Sequence, residues 1–161
     1  MQQNQSPLTA EEIAFINHLN SHPRNSSHSL DRWALIVEDD GLIRSELASA
    51  ISRMGILCWH AANLGEARRL MMDDPPPSIV FLDLRLPDGS GMELLKDPAF
   101  RSWRAHHGIQ VVVITGHGTP VLAEEARTQG AFAFLNKPVT IRQLREITRA
   151  SLDVHDALVS Q

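Results

Sequence analysis

The chain has 161 residues, 43% of them hydrophobic and 21% charged, with a net charge of −4 at pH 7. This composition is typical of one globular domain with its own core, and without a clustered basic face it argues against nucleic acid as a direct partner. The single cysteine, Cys58, excludes an internal disulfide framework. The first residues, MQQNQ, do not have the pattern of a secretory signal, and no apolar run approaches the ~20 residues that span a bilayer, so we predict a cytoplasmic protein.

Residues 1–31 are predicted to be an N-terminal extension with one short helix and a linker. Thr9 and Glu12 have the spacing of a capping box, and four apolar residues follow at helical spacing: Ile13, Phe15, Ile16 and Leu19. The stretch 20–31 has the composition of a linker. Two interpretations of the helix stay open, a poorly ordered tail or an amphipathic element that docks on the rest of the chain or on a second copy.

From Trp33 onward, short apolar runs alternate with segments of helical periodicity. Five of these runs are predicted to be strands buried on both faces of a sheet, at 34–37, 56–59, 79–82, 110–114 and 132–135. Helices are predicted after each strand, over 43–54 and 64–71, from 92 onward, over 120–129 and from 141 onward. Five such units in sequence predict a doubly wound α/β fold, with a five-stranded parallel sheet flanked by five helices.

Polar residues follow four of these strands, at the point where each strand ends. They are Glu38, Asp39, Asp40, Asp83, Thr115 and Lys137. Because the carboxyl ends of parallel strands meet at one edge of the sheet, we expect these side chains to converge. Close carboxylates repel one another, and Mg²⁺, a hard cation that prefers oxygen ligands, relieves that repulsion. A carboxylate in such a place can attack phosphorus, while the metal, a lysine and a hydroxyl neutralise charge on the phosphoryl group.

Four stretches of the sequence resemble the receiver domain of bacterial two-component response regulators, in the order and after the strands that the family has. They are LIVEDD at 35–40, VFLDLRLPDGSG at 80–91, VITG at 113–116 and FLNKP at 134–138. The resemblance covers about residues 32–155, which leaves 156–161 as a C-terminal tail. It implies the CheY-like, flavodoxin-like form of the doubly wound fold.

The resemblance also implies a role for the acidic residues. Asp83 corresponds to the phosphoacceptor. Glu38, Asp39 and Asp83 correspond to the side chains that hold Mg²⁺, and Arg85 to the residue that lends the metal its backbone carbonyl. The protein is accordingly expected to be a signalling receiver and not an enzyme, although it supplies the catalytic groups for its own phosphorylation and dephosphorylation.

Three further positions correspond to the phosphate-binding and switch residues of the family. Lys137 corresponds to the phosphate-binding lysine, Thr115 to the switch hydroxyl and Phe134 to the switch aromatic, for which a plain core position is an equally open interpretation. Phosphorylation would then alter the face made by the fourth helix, the fifth strand and the fifth helix, at about 120–159. In this family that face commonly mediates homodimerisation or contacts with an output domain.

The implied phosphodonor is a sensor histidine kinase or a histidine phosphotransfer protein, and the downstream effector or output domain is not identified by the sequence. The chain is expected to be either a stand-alone receiver or a fragment of a longer regulator. Neither binding of nucleic acid by the chain itself nor a contact with membranes is predicted.

Three alternative functions fit the same residues less well. A phosphatase of the haloacid-dehalogenase type needs a second aspartate two residues after the nucleophile, where this chain has Arg85. A flavodoxin-like nucleotide-binding module needs a glycine- or hydroxyl-rich phosphate loop after the first strand, where this chain has three acidic residues. A degenerate receiver that serves only as a binding scaffold would lack some of the motif residues, and all of them are present.

Overall fold

The computed structural model describes residues 32–72 and 75–161. The strands in this part of the chain are β1 (Trp33–Val37), β2 (Leu57–Ala61), β3 (Ile79–Leu82), β4 (Arg85–Leu86), β5 (Gly89–Ser90), β6 (Gln110–Thr115) and β7 (Ala133–Asn136). Five of them form one parallel sheet in the order β2-β1-β3-β6-β7. The chain adds β2 on one side of β1 and all later strands of this sheet on the other. The strand order therefore reverses between β1 and β3, where sheets of this kind place their ligands.

The helices are α1 (Gly41–Ser52), α2 (Leu64–Met71), α3 (Gly91–Lys96), α4 (Pro98–His106), α5 (Pro120–Thr128) and α6 (Ile141–Val159). Each begins after a polar side chain that accepts hydrogen bonds from the first backbone N–H groups: Asp40, Asn63, Ser90, Asp97, Thr119 and Thr140. These caps satisfy donors that have no partner inside the helix. Asp40, one of the polar residues expected at this edge of the sheet, is therefore the N-cap of α1. Across the part of the chain that the structure describes, no helix is long and apolar enough to cross a membrane.

Successive residues of the central strands point to opposite faces of the sheet and enter two separate cores. On one face, Leu35 and Val37 pack with side chains of α2, α3, α4 and α5. On the other, Ala34 and Ile36 pack with side chains of α1 and α6. Because both faces are covered, β1, β3 and β6 are buried along their whole length. This explains the continuous apolar runs in the sequence and confirms the predicted doubly wound fold.

Two local features were not predicted from the sequence. The expected third helix is divided into α3 and α4, because Asp97 adopts an extended backbone (φ −63°, ψ 118°) and caps the second segment. The following residue, Pro98, disfavours a helical conformation at Asp97. In addition, the loop after Asp83 contains the short antiparallel pair β4-β5. The predictions for residues 9–19 and 20–31 lie outside the described residues.

Candidate functional site

The ends of four strands bring the predicted site residues to one edge of the sheet. Glu38 and Asp39 follow β1, and Asp83 follows the neighbouring β3, with its N–H 3.0 Å from the Val37 carbonyl. Thr115 ends β6, and the N–H of Lys137, just after β7, donates to the Thr115 carbonyl at 2.9 Å. The backbone of the sheet therefore sets the spacing of these groups.

Lys137 connects two carboxylates from different strands. Its Nζ lies 2.7 Å from Glu38 Oε2 and 2.7 Å from Asp83 Oδ2. The exposed fraction of the side chain is 18% for Lys137, 3% for Glu38 and 6% for Asp83. Removing charges from water to this extent is costly unless they are paired, so the ammonium group is what allows two carboxylates to lie together here.

The three groups alter one another's protonation. Burial, together with a hydrogen bond to Asp83 and repulsion from it, raises the pKa of Glu38 to about 7, against the lowering effect of Lys137. Burial alone would also raise the pKa of Asp83. Hydrogen bonds from Glu38, Lys137 and the Arg85 N–H nevertheless hold the pKa of Asp83 below its usual value. Burial disfavours the charge on Lys137, but both carboxylates raise its pKa. Asp83 is therefore the more acidic carboxylate of the pair.

Three carboxylates have the arrangement of a divalent metal site. Oxygen atoms of Glu38, Asp39 and Asp83 all lie within 4.8 Å of one another, and Asp39 is exposed to solvent while the other two are buried. A set of hard oxygen donors with one open side fits Mg²⁺, which keeps several waters and leaves room for a phosphate oxygen. The Arg85 N–H lies 3.1 Å from Asp83 Oδ1, so the backbone of Arg85 runs directly beside the carboxylate.

The two predicted switch residues lie on neighbouring strands. The Thr115 side chain is fully buried, and its hydroxyl accepts a hydrogen bond from the His117 N–H at 3.4 Å. Phe134 is opposite Val113 in the β6-β7 register and is half-buried against the core that contains α3 and α5. The structure therefore places Phe134 apart from the cluster of carboxylates, beside the strand that ends in Thr115.

Two glycines shape the site, and the sequence analysis did not assign them a role. A side chain at Gly91 would collide with the Asp83 carbonyl, because α3 begins directly against that peptide. A side chain at Gly118 would collide with Asn136 and come within 2.6 Å of the Phe134 ring. The GSG and GHG stretches were visible in the sequence, but a close approach of backbone to a distant residue is not readable from glycines alone.

Asp88 connects the loop after Asp83 to another helix. Its Oδ1 accepts from the Leu64 N–H at 2.8 Å and its Oδ2 from the Gly65 N–H at 2.9 Å, so it caps α2 from 23 and 24 residues away. These hydrogen bonds lower the pKa of the Asp88 carboxyl. The loop is thus hydrogen-bonded both to α2, through Asp88, and to the first residue of α3, through the Leu84 carbonyl.

Comparison with known proteins gives one consistent result. The family model described as response regulator receiver domain matches residues 34–149. The chain is 39% identical over 119 residues to the response regulator protein PilR of Pseudomonas aeruginosa, covering 74% of this chain and 26% of PilR. It is 33% identical over 128 residues to the photosynthetic apparatus regulatory protein RegA of Rhodobacter capsulatus, covering 80% of this chain and 65% of RegA. The chain thus spans between a quarter and two thirds of these relatives.

Solved structures agree with the sequence matches. The CheY-like receiver domain protein of Methanospirillum hungatei JF-1 superposes with a TM-score of 0.68 at 26% identity, covering 78% of this chain and 97% of that one. The beryllofluoride-activated NtrC4 receiver domain dimer superposes with a TM-score of 0.66 at 27% identity, covering 78% and 98%. These matches confirm the fold that the sequence predicted.

Proposed function

Because the chain belongs to the response regulator receiver domain family of two-component signalling, we propose that it accepts a phosphoryl group on Asp83 and thereby switches a protein-binding surface. The observation that carries this proposal is the contact of the Lys137 ammonium with Asp83 and Glu38, at 2.7 Å each. A buried, ionised carboxylate beside a fixed cation combines a nucleophile with a group that can stabilise an incoming phosphate.

In the proposed reaction, a carboxylate oxygen of Asp83 attacks the phosphorus of the donor. When the donor is a phosphohistidine, the new O–P bond forms as the N–P bond breaks, and the electron pair of that bond leaves with the imidazole nitrogen. The lowered pKa of Asp83 keeps the attacking carboxylate ionised. Lys137 is positioned to hold a phosphate oxygen, and the Thr115 hydroxyl can donate to another.

Mg²⁺ would be held by Glu38, Asp39 and Asp83 together with the backbone carbonyl of Arg85. It supplies positive charge that offsets the negative charge of the carboxylates and of the phosphoryl group. Glu38 is buried and already bonded to Lys137, whereas Asp39 is exposed. Asp39 is therefore the ligand best placed for direct coordination, with Glu38 acting through a water molecule.

Phosphorylation adds about −1.5 to −2 of charge and three acceptor oxygens at the end of β3. In the proposed switch, the Thr115 hydroxyl leaves the His117 N–H and turns toward the phosphate, and the Phe134 ring moves into the space that it vacates. Gly118 lies against that ring, so the loop before α5 moves with it. The change therefore reaches the surface made by α5, β7 and α6, where a homodimer or a downstream effector would bind.

A sensor histidine kinase or a histidine phosphotransfer protein is the proposed donor. A groove between α1 and α6, with a volume of about 560 Å³, reaches the site at Lys137 and is lined largely by apolar side chains. Among them are Ile43, Leu47, Pro138, Val139 and Leu144. Such a groove suits one face of an amphipathic helix. We place the reaction in the cytoplasm. We assign the dephosphorylation of the chain to the same groups, and we assign the chain no direct contact with nucleic acid.

The test is intact-mass measurement after incubation with Mg²⁺ and acetyl phosphate. Wild type should gain one phosphoryl group per chain, and Asp83→Asn should gain none. Asp40→Asn is the matched control, because Asp40 caps α1 outside the cluster and asparagine is an equally good cap; it should be labelled as wild type is. Undiminished labelling of Asp83→Asn would refute the assignment. Repeated turnover of the phosphodonor without accumulation of the labelled chain would indicate a phosphatase instead.

A further inference from the structure

Arg44 folds back from the first turn of α1 over the loop that carries Glu38 and Asp39. Its Nη1 donates to the Glu38 carbonyl at 2.7 Å and lies 3.5 Å from the Asp39 carbonyl. The backbone N–H of Arg44 donates to the Asp40 carbonyl at 2.9 Å in the first turn of the helix. The side chain is half-buried, and among residues 32–72 and 75–161 it forms no ion pair with a carboxylate. The guanidinium therefore binds the backbone of the loop that contains Glu38 and Asp39.

The Asp39 carboxylate depends on that main chain for its direction. Within the described residues it accepts no hydrogen bond and forms no ion pair, in contrast to Glu38, which is bonded to Lys137 at 2.7 Å. The direction of its exposed side chain therefore follows from the peptide groups on either side of Asp39, of which the Asp40 N–H also donates to Glu38 Oε1 at 3.3 Å. A charge-assisted hydrogen bond to a carbonyl is among the strong hydrogen bonds in proteins, and it holds the peptide plane that sets the Cα–Cβ direction.

We propose that Arg44 is a positioning residue for the divalent metal site. Its guanidinium holds the carbonyls of Glu38 and Asp39 so that the Asp39 carboxylate faces Asp83. The inference rests on the proposed function, because that function assigns the metal to these carboxylates. Arg44 contacts neither the metal nor the phosphoryl group in this role, and it acts through the backbone of the residues that do.

A second effect of Arg44 has the opposite sign. A guanidinium near a cation site repels the cation, so its removal would tighten metal binding if charge alone mattered. Arg44 reaches the solvent, where such repulsion is strongly screened. Loss of a group that orients ligands typically weakens metal binding by about 10- to 100-fold. We therefore expect the positioning effect to prevail, and the two effects predict different results for the same variants.

The experiment compares Arg44→Met and Arg44→Lys with wild type in a direct titration with Mn²⁺, followed by the electron paramagnetic resonance signal of the free ion. Both variants should bind roughly tenfold more weakly, because methionine cannot donate and lysine, although charged, carries its ammonium on a shorter stem than the Arg44 Nη1 that contacts both carbonyls. Arg53→Met is the matched control at the other end of α1 and should bind as wild type does. Tighter binding by Arg44→Met with unchanged binding by Arg44→Lys would overturn the proposal.

A measurement without metal separates positioning from general stability. Hydrogen exchange of the amides at 38–40 should accelerate in Arg44→Lys at an unchanged midpoint of chemical unfolding, and it should not accelerate in Arg53→Met. If Arg44→Met does not fold, Arg44→Lys decides alone, and wild-type affinity in that variant refutes the role. Failure of the proposed function looks different, since wild type itself would then bind no Mn²⁺ at this site or would not be labelled at Asp83.

Discussion

The two edges of the central sheet differ in the polar contacts that their side chains make. At the carboxyl edge, Glu38, Asp83 and Lys137 are charged groups with little access to water. At the amino edge, the polar side chains instead contact backbone carbonyls: the Trp33 indole N–H donates to the Pro75 carbonyl at 2.8 Å, Arg104 Nη1 donates to the Gly130 carbonyl at 3.0 Å, and the His155 Nδ1 lies 2.9 Å from the Gly108 carbonyl. Among the described residues, both buried carboxylates, Glu38 and Asp83, therefore lie at the carboxyl edge, which is the expected distribution when buried carboxylates serve chemistry and not folding.

One helix spans both edges. α6 begins at Ile141, four residues after Lys137, and ends at Val159, where a side chain at Gly108 would lie 3.2 Å from Leu158 Cβ. Near its end, Asp156 forms an ion pair with Arg32 at 2.6 Å. A helix of this length extends over about 28 Å. It therefore runs from the carboxyl edge, beside the site, to the amino edge of the sheet. Three substitutions can test whether the two edges behave independently.

The largest effect is expected from Gly91→Ala at the carboxyl edge. The added methyl group would collide with the Asp83 carbonyl and contact Leu82 at 3.0 Å, so the backbone must shift. We expect a loss of about 3 kcal/mol in the free energy of unfolding, at the upper end for overpacking, together with slower labelling of Asp83.

Gly41→Ala is the matched control for this substitution. Gly41 is also the first residue of a helix, but a methyl group there would lie 3.6 Å from the Arg44 side chain, which is an ordinary contact. Chemical denaturation should show a change within about 1 kcal/mol. Equal losses in both variants would mean that the carboxyl edge has no special demand for glycine.

An intermediate effect, dependent on pH, is expected from Glu38→Gln in metal-free protein. The pKa of Glu38 is raised from 4.5 to about 7, so folding favours the protonated form. Its contribution to stability is fully present below pH 4.5 and is lost as the pH rises through 7. The lowered pKa of Asp83 acts in the opposite direction and at lower pH. Wild type should therefore lose stability between pH 4.5 and 7, by on the order of 1–3 kcal/mol, and Glu38→Gln should not.

Urea titrations at several pH values in the presence of a chelator measure this difference. Glu46→Gln, an exposed residue of α1, is the control and should retain the wild-type dependence on pH. A Glu38→Gln variant with the same slope as wild type would show that the carboxyl edge does not carry the titrating group.

The smallest effect is expected from Asp156→Asn at the amino edge. The side chains of Arg32 and Asp156 are 36% and 33% exposed, and an exposed ion pair contributes about 0–1 kcal/mol. Thermal unfolding should change little, and the remaining difference should vanish in 1 M salt. The rates of Asp83 labelling should equal those of wild type. A changed labelling rate would instead reveal coupling between the two edges through α6.

Much of the fold and of the site was predictable from local sequence. Apolar runs of four to six residues, such as those at 34–37 and 79–82, identify strands covered on both faces because only a two-sided sheet buries every residue of a run. The polar residues after them identify the edge of the sheet where a site can form. The division of the third helix at Asp97 was readable in principle from Pro98, but its reason, a cap that starts a second helix, lies in the backbone conformation.

The sequence alone determined the alternation of strands and helices and the set of side chains that are capable of the proposed chemistry. These features depend on neighbouring residues and on periodicity. Which groups meet was decided by the tertiary structure. Lys137 joins Glu38 across 99 residues and Asp83 across 54, Asp88 caps α2, and Gly91 makes room for the Asp83 carbonyl. The pKa values of Glu38 and Asp83 shift in opposite directions in the folded protein. Desolvation and pairing cause these shifts, and both arise only when distant segments pack together.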